Sequence, residues 1–193
     1  MQPSPTPSTR PRSLATHLVR WLWRLLLLTA LLLFAAWAWR QPWLDYPRTL
    51  WELSRMPPPS SLPVPVQGVR ARQIADTFGA PRGQDRRHEG VDIFAARGTP
   101  VRSATRGIVL AVRERGLGGR QVWVLGPARE RHYYAHLDDW SPGLATGQVV
   151  EAGTPLGTVG DTGNARGTPP HLHYGIYGGA GALDPLPRMR AAH

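Results

Sequence analysis

No cysteine and no lysine occur among the 193 residues of this chain. The first absence excludes disulfides and thiolate metal ligands, leaving nitrogen and oxygen donors as the means of holding a metal. The second means that arginine supplies every basic residue in a Lys+Arg total of 23, against 13 from Asp and Glu. The resulting charge of +10 is scattered. There is no long basic run, no recognition-helix pattern and no zinc-finger spacing, so the charge does not point to nucleic acid. Helical periodicity is scarce in the second part of the chain. Glycine (21) and proline (20) fall instead between short apolar runs, the pattern of a turn-rich β protein.

The length suits one domain with extensions. Residues 1–20 open on "MQPSPTPSTRPRS", too poor in apolar side chains to pack, and are read as a disordered cytoplasmic tail. Residues 21–39, "WLWRLLLLTALLLFAAWAW", carry a single charge, Arg24, near an edge where it can snorkel. About 20 apolar residues cross the hydrocarbon core of a bilayer. Trp21 and Trp23 at one end, and Trp37, Trp39 and Trp43 at the other, suit its two interfaces. Arg10, Arg12, Arg20 and Arg24 precede or open the run, and no acidic residue occurs before Asp45. The positive-inside rule then predicts a single-pass signal anchor, with a cytoplasmic N-terminus and an exported domain. The competing reading is a cleaved signal peptide, since "AWA" at 36–38 has the small-x-small form. Residues 40–61 are read as a linker. Within it, "DYPRTLWELSRM" is expected to form a short amphipathic helix with Leu50, Trp51 and Leu53 on its apolar side, and "MPPPSSLPVPV" a stiff spacer.

The domain is placed at 62–190. Its runs at 98–112, 120–126, 131–137, 147–160 and 171–177 read as strands joined by tight turns, which predicts an all-β antiparallel sandwich or barrel-like core. Five of the 7 histidines fall inside it: His88, His132, His136, His171 and His173. In "PPHLHYGIY" (169–177) strand alternation turns His171 and His173 to one face and Leu172 to the other. In "RRHEGVDIFA" (86–95) His88 and Asp92 stand four apart, and a turn at Gly90 can draw them together. A His and an Asp, joined by a His from elsewhere, make a three-ligand site with an open fourth position, as a catalytic zinc requires. By alternation His132 shares a face with Tyr134 and His136; it is read as structural or solvent-facing. Glu89 lacks the second histidine and the helix of H-E-x-x-H and is read as a bystander.

In this order, "RRHEGVDIFAARGTPVRSATRGIVLAV", "YYAHL", "GQVVEAGTPLGTVGDTGN" and "PPHLHYGIY" resemble the lysostaphin/LytM-type zinc metalloendopeptidases of bacterial cell walls. The resemblance runs from about residue 62 to 187, with "DTFGAPR" (76–82) matching the family's first strand. It implies a LytM-type peptidase domain that hydrolyses peptide cross-links of peptidoglycan and holds one zinc ion. His88, Asp92 and His173 would be the zinc ligands, His171 the general base on the attacking water, and His136 the second catalytic histidine, at the oxyanion or on the proton path. Peptidoglycan stem peptides would be the partner, and the inner membrane the location through the N-terminal helix. Two features depart from the common pattern: Gly175 stands where many relatives carry Glu, and the loop "GDTGNARGTPPH" is long. An inactive domain that binds wall or activates another hydrolase is the alternative; such relatives typically lack ligands, whereas all five positions are filled here.

Overall fold

A computed structural model describes residues 14–83 and 85–192. The proline-rich opening, Gln84 and His193 lie outside the described residues, and so does the reading of 1–13 as disordered. Contacts divide the chain into two compact units, Met1–Leu44 and Asp45–His193.

The first unit is helix α1 (Leu14–Trp39) with a short turn after it. The helix starts before the predicted span, so residues 14–20, assigned to the tail, are helical; "LATHLVR" holds no glycine or proline to interrupt a helix continuous with the apolar run. Among the described residues this is the one helix long and apolar enough to cross a membrane, and none of its span is buried. A helix that is apolar all round without protein cover is a candidate transmembrane segment.

The second unit begins with α2 (Asp45–Arg55), so the helix expected in the linker is part of the compact domain. Asp45 in the first turn and Arg55 in the last complement the helix dipole. The face it buries matches expectation at Leu53 and differs at Leu50 and Trp51. Thr49 and Leu53, one turn apart, are buried, while Leu50 and Trp51 point outward. Glu52 pairs with Arg106 at 2.7 Å, and the Ala128 N–H donates to the Met56 carbonyl at 3.1 Å. The proline-rich segment is not a free spacer either. Leu62 and Val66 enter the core, and Val66 bridges to Val101.

The strands follow in chain order. A small hairpin pairs β1 (Pro81–Arg82) with β2 (Arg86–Arg87). Then come β3 (Val91–Phe94), β4 (Pro100–Arg102), β5 (Gly107–Glu114), β6 (Arg120–Leu125), β7 (Arg131–Ala135), β8 (Leu137–Trp140), β9 (Val149–Val150), β10 (Pro155–Val159), β11 (His171–Gly178) and β12 (Gly181–Leu183). A short helix α3 (Leu186–Arg190) closes the described chain. The large sheet runs β12-β11-β7-β6-β5-β9, with β3 also paired to β11, and the small one runs β4-β10-β8. Every pairing among the described strands is antiparallel, so the predicted all-β class holds. Both sheets feed one core: Val122, Val124, Tyr134, Leu172, Tyr174 and Ile176 from the large sheet meet Val101, Leu137, Leu156 and Val159 from the small one. Burying this apolar surface is the main stabilising contribution.

Candidate active site

The site is built on β11 and its neighbours. Alternation along β11 sends Leu172, Tyr174 and Ile176 into the core, all fully buried. His171 and His173 therefore share the opposite face, as the H-x-H spacing predicts. The β11–β3 register sets His173 opposite Asp92 and His171 opposite Phe94. Directly opposed residues on one face of an antiparallel pair are close enough for their side chains to meet. His88 reaches the same point from just ahead of β3, past Gly90. That turn needs glycine: a Cβ at Gly90 would lie 2.5 Å from the Tyr174 carbonyl and 2.9 Å from His173 Cε1.

Three donor atoms converge. His88 Nε2 lies 2.9 Å from His173 Nδ1 and 3.1 Å from Asp92 Oδ1, and His173 Nδ1 lies 3.2 Å from that same oxygen. A tetrahedral zinc with bonds of about 2.0–2.1 Å would set neighbouring donors about 3.3 Å apart. The observed triangle is close to that. Protonation also suits a cation. Burial pushes the Asp92 carboxyl up, but hydrogen bonds with His173 and His88, and then Arg82, outweigh it and hold the carboxyl well below the usual range. Burial lowers the His173 imidazole, with Asp92 opposing, so its neutral form is favoured. Among the described residues no fourth side chain joins these two nitrogens and the carboxylate, and a three-donor set of this kind suits a catalytic rather than a structural zinc site.

Backbone carbonyls orient three of the imidazoles. His88 Nδ1 donates to Thr77 O at 2.9 Å, His171 Nδ1 to Pro169 O at 2.8 Å and His136 Nδ1 to Thr162 O at 2.9 Å. Each bond leaves Nε2 with its lone pair free. The Arg82 guanidinium lies 3.2 Å from His88 Nδ1 as well, but arginine only donates. Its productive partner is Asp92 Oδ2, which it pairs with directly. Arg82 is thus a site residue that pattern reading missed, although it ends the quoted "DTFGAPR"; only the fold-back of the β1–β2 hairpin brings it here.

His136 arrives by a different route. On β7, His132 and Tyr134 face the core, and strict alternation would send His136 after them. Instead His136 adopts φ 63°, the left-handed region that non-glycine residues enter at a cost. The expectation that His132, Tyr134 and His136 share a face is therefore corrected. The reversed backbone carries the His136 ring to within 5.1 Å of His171 and 5.9 Å of His173, centroid to centroid. Its amide is held by Gly118 O at 2.9 Å. Burial lowers its pKa to about 4, against the raising effect of the Thr162 carbonyl. His132 stays in the core at 0% exposure, which settles the structural-or-solvent question in favour of structure.

These groups line an open cleft of about 470 Å³ that also takes in Glu89, Tyr133 and Tyr177. Glu89 faces Tyr177: burial and the neighbouring Glu89 carboxylate push that phenol up. Gly175 has a local reason to lack the expected glutamate. A Cβ there would meet Glu89 O at 2.8 Å and the Tyr177 ring at 3.2 Å.

The sequence model of peptidase family M23 matches residues 86–185, a stretch that contains His88, Asp92, His136, His171 and His173 but not Arg82. The L-Ala–D-Glu endopeptidase of Bacillus subtilis (strain 168) is 40% identical over 126 residues, covering 60% of this chain and 39% of that protein. The peptidoglycan DD-endopeptidase ShyC of Vibrio cholerae is 32% identical over 108 residues, 53% of this chain and 24% of its own. The match spans less than two thirds of either relative's length. The solved catalytic domain of lysostaphin from Staphylococcus simulans is similar in structure, with a TM-score of 0.54 and 30% identity over 61% of this chain and 91% of that one.

Proposed function

The chain belongs to peptidase family M23, and on that premise we propose that it is a zinc-dependent endopeptidase that hydrolyses peptide cross-links of bacterial peptidoglycan. The observation that carries this reading is the convergence of His88 Nε2, Asp92 Oδ1 and His173 Nδ1 within 2.9–3.2 Å of one another, beside two further histidines. His88, Asp92 and His173 would hold the ion. When bound, zinc polarises a carbonyl and brings the pKa of a coordinated water toward 7.

The remaining work falls to protein groups. His171, pinned through Nδ1 to Pro169, takes a proton from the attacking water at Nε2 and delivers it to the leaving amine. His136, pinned to Thr162, presents a lone pair at Nε2 while neutral. Burial favours its neutral form; a proton taken up from solvent at Nε2 as negative charge develops beside it lets the same atom donate to the oxyanion, and that proton returns to solvent when the intermediate collapses. Arg82 holds the second oxygen of Asp92 and leaves the first for the metal. Peptidoglycan stems are the substrate class, in keeping with the names of the two relatives, whose stated bonds differ from each other. An inactive wall-binding domain has less support, since every polar position of the constellation is filled.

In the same reading α1 anchors the protein in the inner membrane, with the N-terminus cytoplasmic and the domain in the periplasm; the uncovered apolar helix supports it. The test is metal content of the purified protein beside mass analysis of fragments released from isolated sacculi. One zinc per chain, and release abolished by chelation and restored by zinc, are expected. Sacculi left intact by the zinc-loaded protein would sink the enzymatic reading.

A further inference from the structure

Helix α2 is buried on one side and open around much of the rest. Thr49 and Leu53 are buried against the domain, and Glu52 ties that side to Arg106. Tyr46, Leu50 and Trp51 are 44%, 39% and 53% exposed, with Met56 just beyond the helix at 40%. At about 100° per residue, Tyr46 lies roughly 20° from Leu53, at the edge of the buried side; Leu50 follows roughly 40° further round and Trp51 roughly 100° beyond that, opposite the domain, so the three form a strip running from the edge of the buried side to its far side. The Arg55 guanidinium rests 4.5 Å above the Trp51 ring at the rim of this face. Tyrosine and tryptophan rings with arginine at the margin are the chemistry of a lipid headgroup layer, where the rings stay half-wet and the guanidinium meets phosphate.

Chain length restricts what can cover this face. The apolar helix ends at Trp39 and α2 starts at Asp45. The five residues between them make six Cα–Cα steps, which span at most about 20 Å. If α1 crosses a bilayer, α2 cannot leave the neighbourhood of its surface. The attachment of α2 to the domain also has a direction. Met56 O bonds Ala128 N–H, in the turn that precedes β7, whereas His136 follows the far end of β7. Five strand residues set these ends about 17 Å apart.

We propose that the Tyr46–Leu50–Trp51 face of α2 docks on the phospholipid surface of the membrane that α1 enters, so that the catalytic cleft opens away from lipid. The proposal rests on the membrane-anchor part of the functional reading.

The absence of cysteine makes the test clean, because each introduced thiol is unique. Full-length variants Leu28→Cys, Leu50→Cys and Arg115→Cys, spin-labelled and reconstituted in phosphatidylethanolamine/phosphatidylglycerol vesicles, are compared by oxygen and nickel-chelate collision accessibility. Position 28 should report the bilayer interior and 115 the aqueous phase. Position 50 should report headgroup depth, with an oxygen-to-nickel ratio several-fold above that at 115. A label at 50 as aqueous as that at 115, with 28 inside the bilayer, overturns the docking proposal and leaves the anchor standing. An aqueous label at 28 overturns the anchor, and the docking with it. Spin–spin broadening at 50 that vanishes on dilution with unlabelled protein assigns the face to a second copy and also overturns the proposal. Leu50→Glu combined with Trp51→Glu should shift a label at Tyr46→Cys from headgroup depth to water.

Discussion

Two histidines bracket strand β7 and end in different chemistry. His132, near its start, is fully buried, with Nδ1 2.7 Å from the Tyr174 hydroxyl and Nε2 without a partner among the described residues. His136, just past its end, is tied by Nδ1 to a carbonyl and turns Nε2 into the cleft. Burial lowers both, to about 3 and about 4. A lowered histidine pKa therefore does not mark function by itself. What separates the two is access: one imidazole is walled in by tyrosine and core residues, and the other faces open space beside His171 and His173. Left-handed backbone at a single residue makes that difference.

The largest expected effect lies at the cleft end. His88→Ala, Asp92→Ala or His173→Ala should each lose bound zinc and all detectable cleavage of sacculi, with metal analysis and muropeptide release as the paired readouts. Asp92→Ala protein that keeps full zinc would break the ligand assignment. The next step separates ligand from acid–base group. His136→Ala and His171→Ala should keep the metal while the rate falls by about 10²–10⁴-fold. Their combination should cost less than the product of the two, because both act on one transition state. Multiplicative losses would show that they work in separate steps.

At the core end the effect should appear in stability instead. The unfolded chain protonates His132 near 6.5 while the native core refuses the proton until about 3. Its contribution is thus complete above pH 6.5 and is lost as pH falls toward 3, with a slope of up to about 1.4 kcal/mol per pH unit. Denaturant titrations at pH 7 and pH 5 should show His132→Gln less acid-sensitive than the parent, with cleavage kept at neutral pH. An unchanged pH dependence would mean that His132 does not titrate between the two states. The smallest effect tests the left-handed turn. His136→Gly and His136→Ala should both be catalytically crippled, yet the glycine variant should be the more stable by about 1 kcal/mol, since glycine adopts φ 63° without a Cβ penalty. Equal melting temperatures would remove backbone strain from the account.

Local patterns were legible because their physics is local. The two-residue period of β11 determined that His171 and His173 share a face and that Leu172 lies behind them. The same period, applied to β7, misplaced His136, since no spacing announces one reversed φ. In α2 the helix and the burial of Leu53 were readable, but Thr49 rather than Leu50 or Trp51 joins Leu53 inside, because the turn around Ala128 offers a surface there.

The residues alone determined the strand-rich class and the span-length apolar helix, because each is a matter of residue type and short period; the five polar positions of the candidate site came from the ordered motifs of the family resemblance. Tertiary structure alone decided which of those positions meet. The β11–β3 register sets Asp92 against His173, the hairpin returns Arg82 to the second carboxylate oxygen, and carbonyls of Thr77, Thr162 and Pro169 choose which imidazole nitrogen is free. A backbone carbonyl looks the same at every residue of a sequence, and a register joins segments dozens of positions apart. Only the folded chain brings them within the 3 Å or so over which a hydrogen bond or a metal can act.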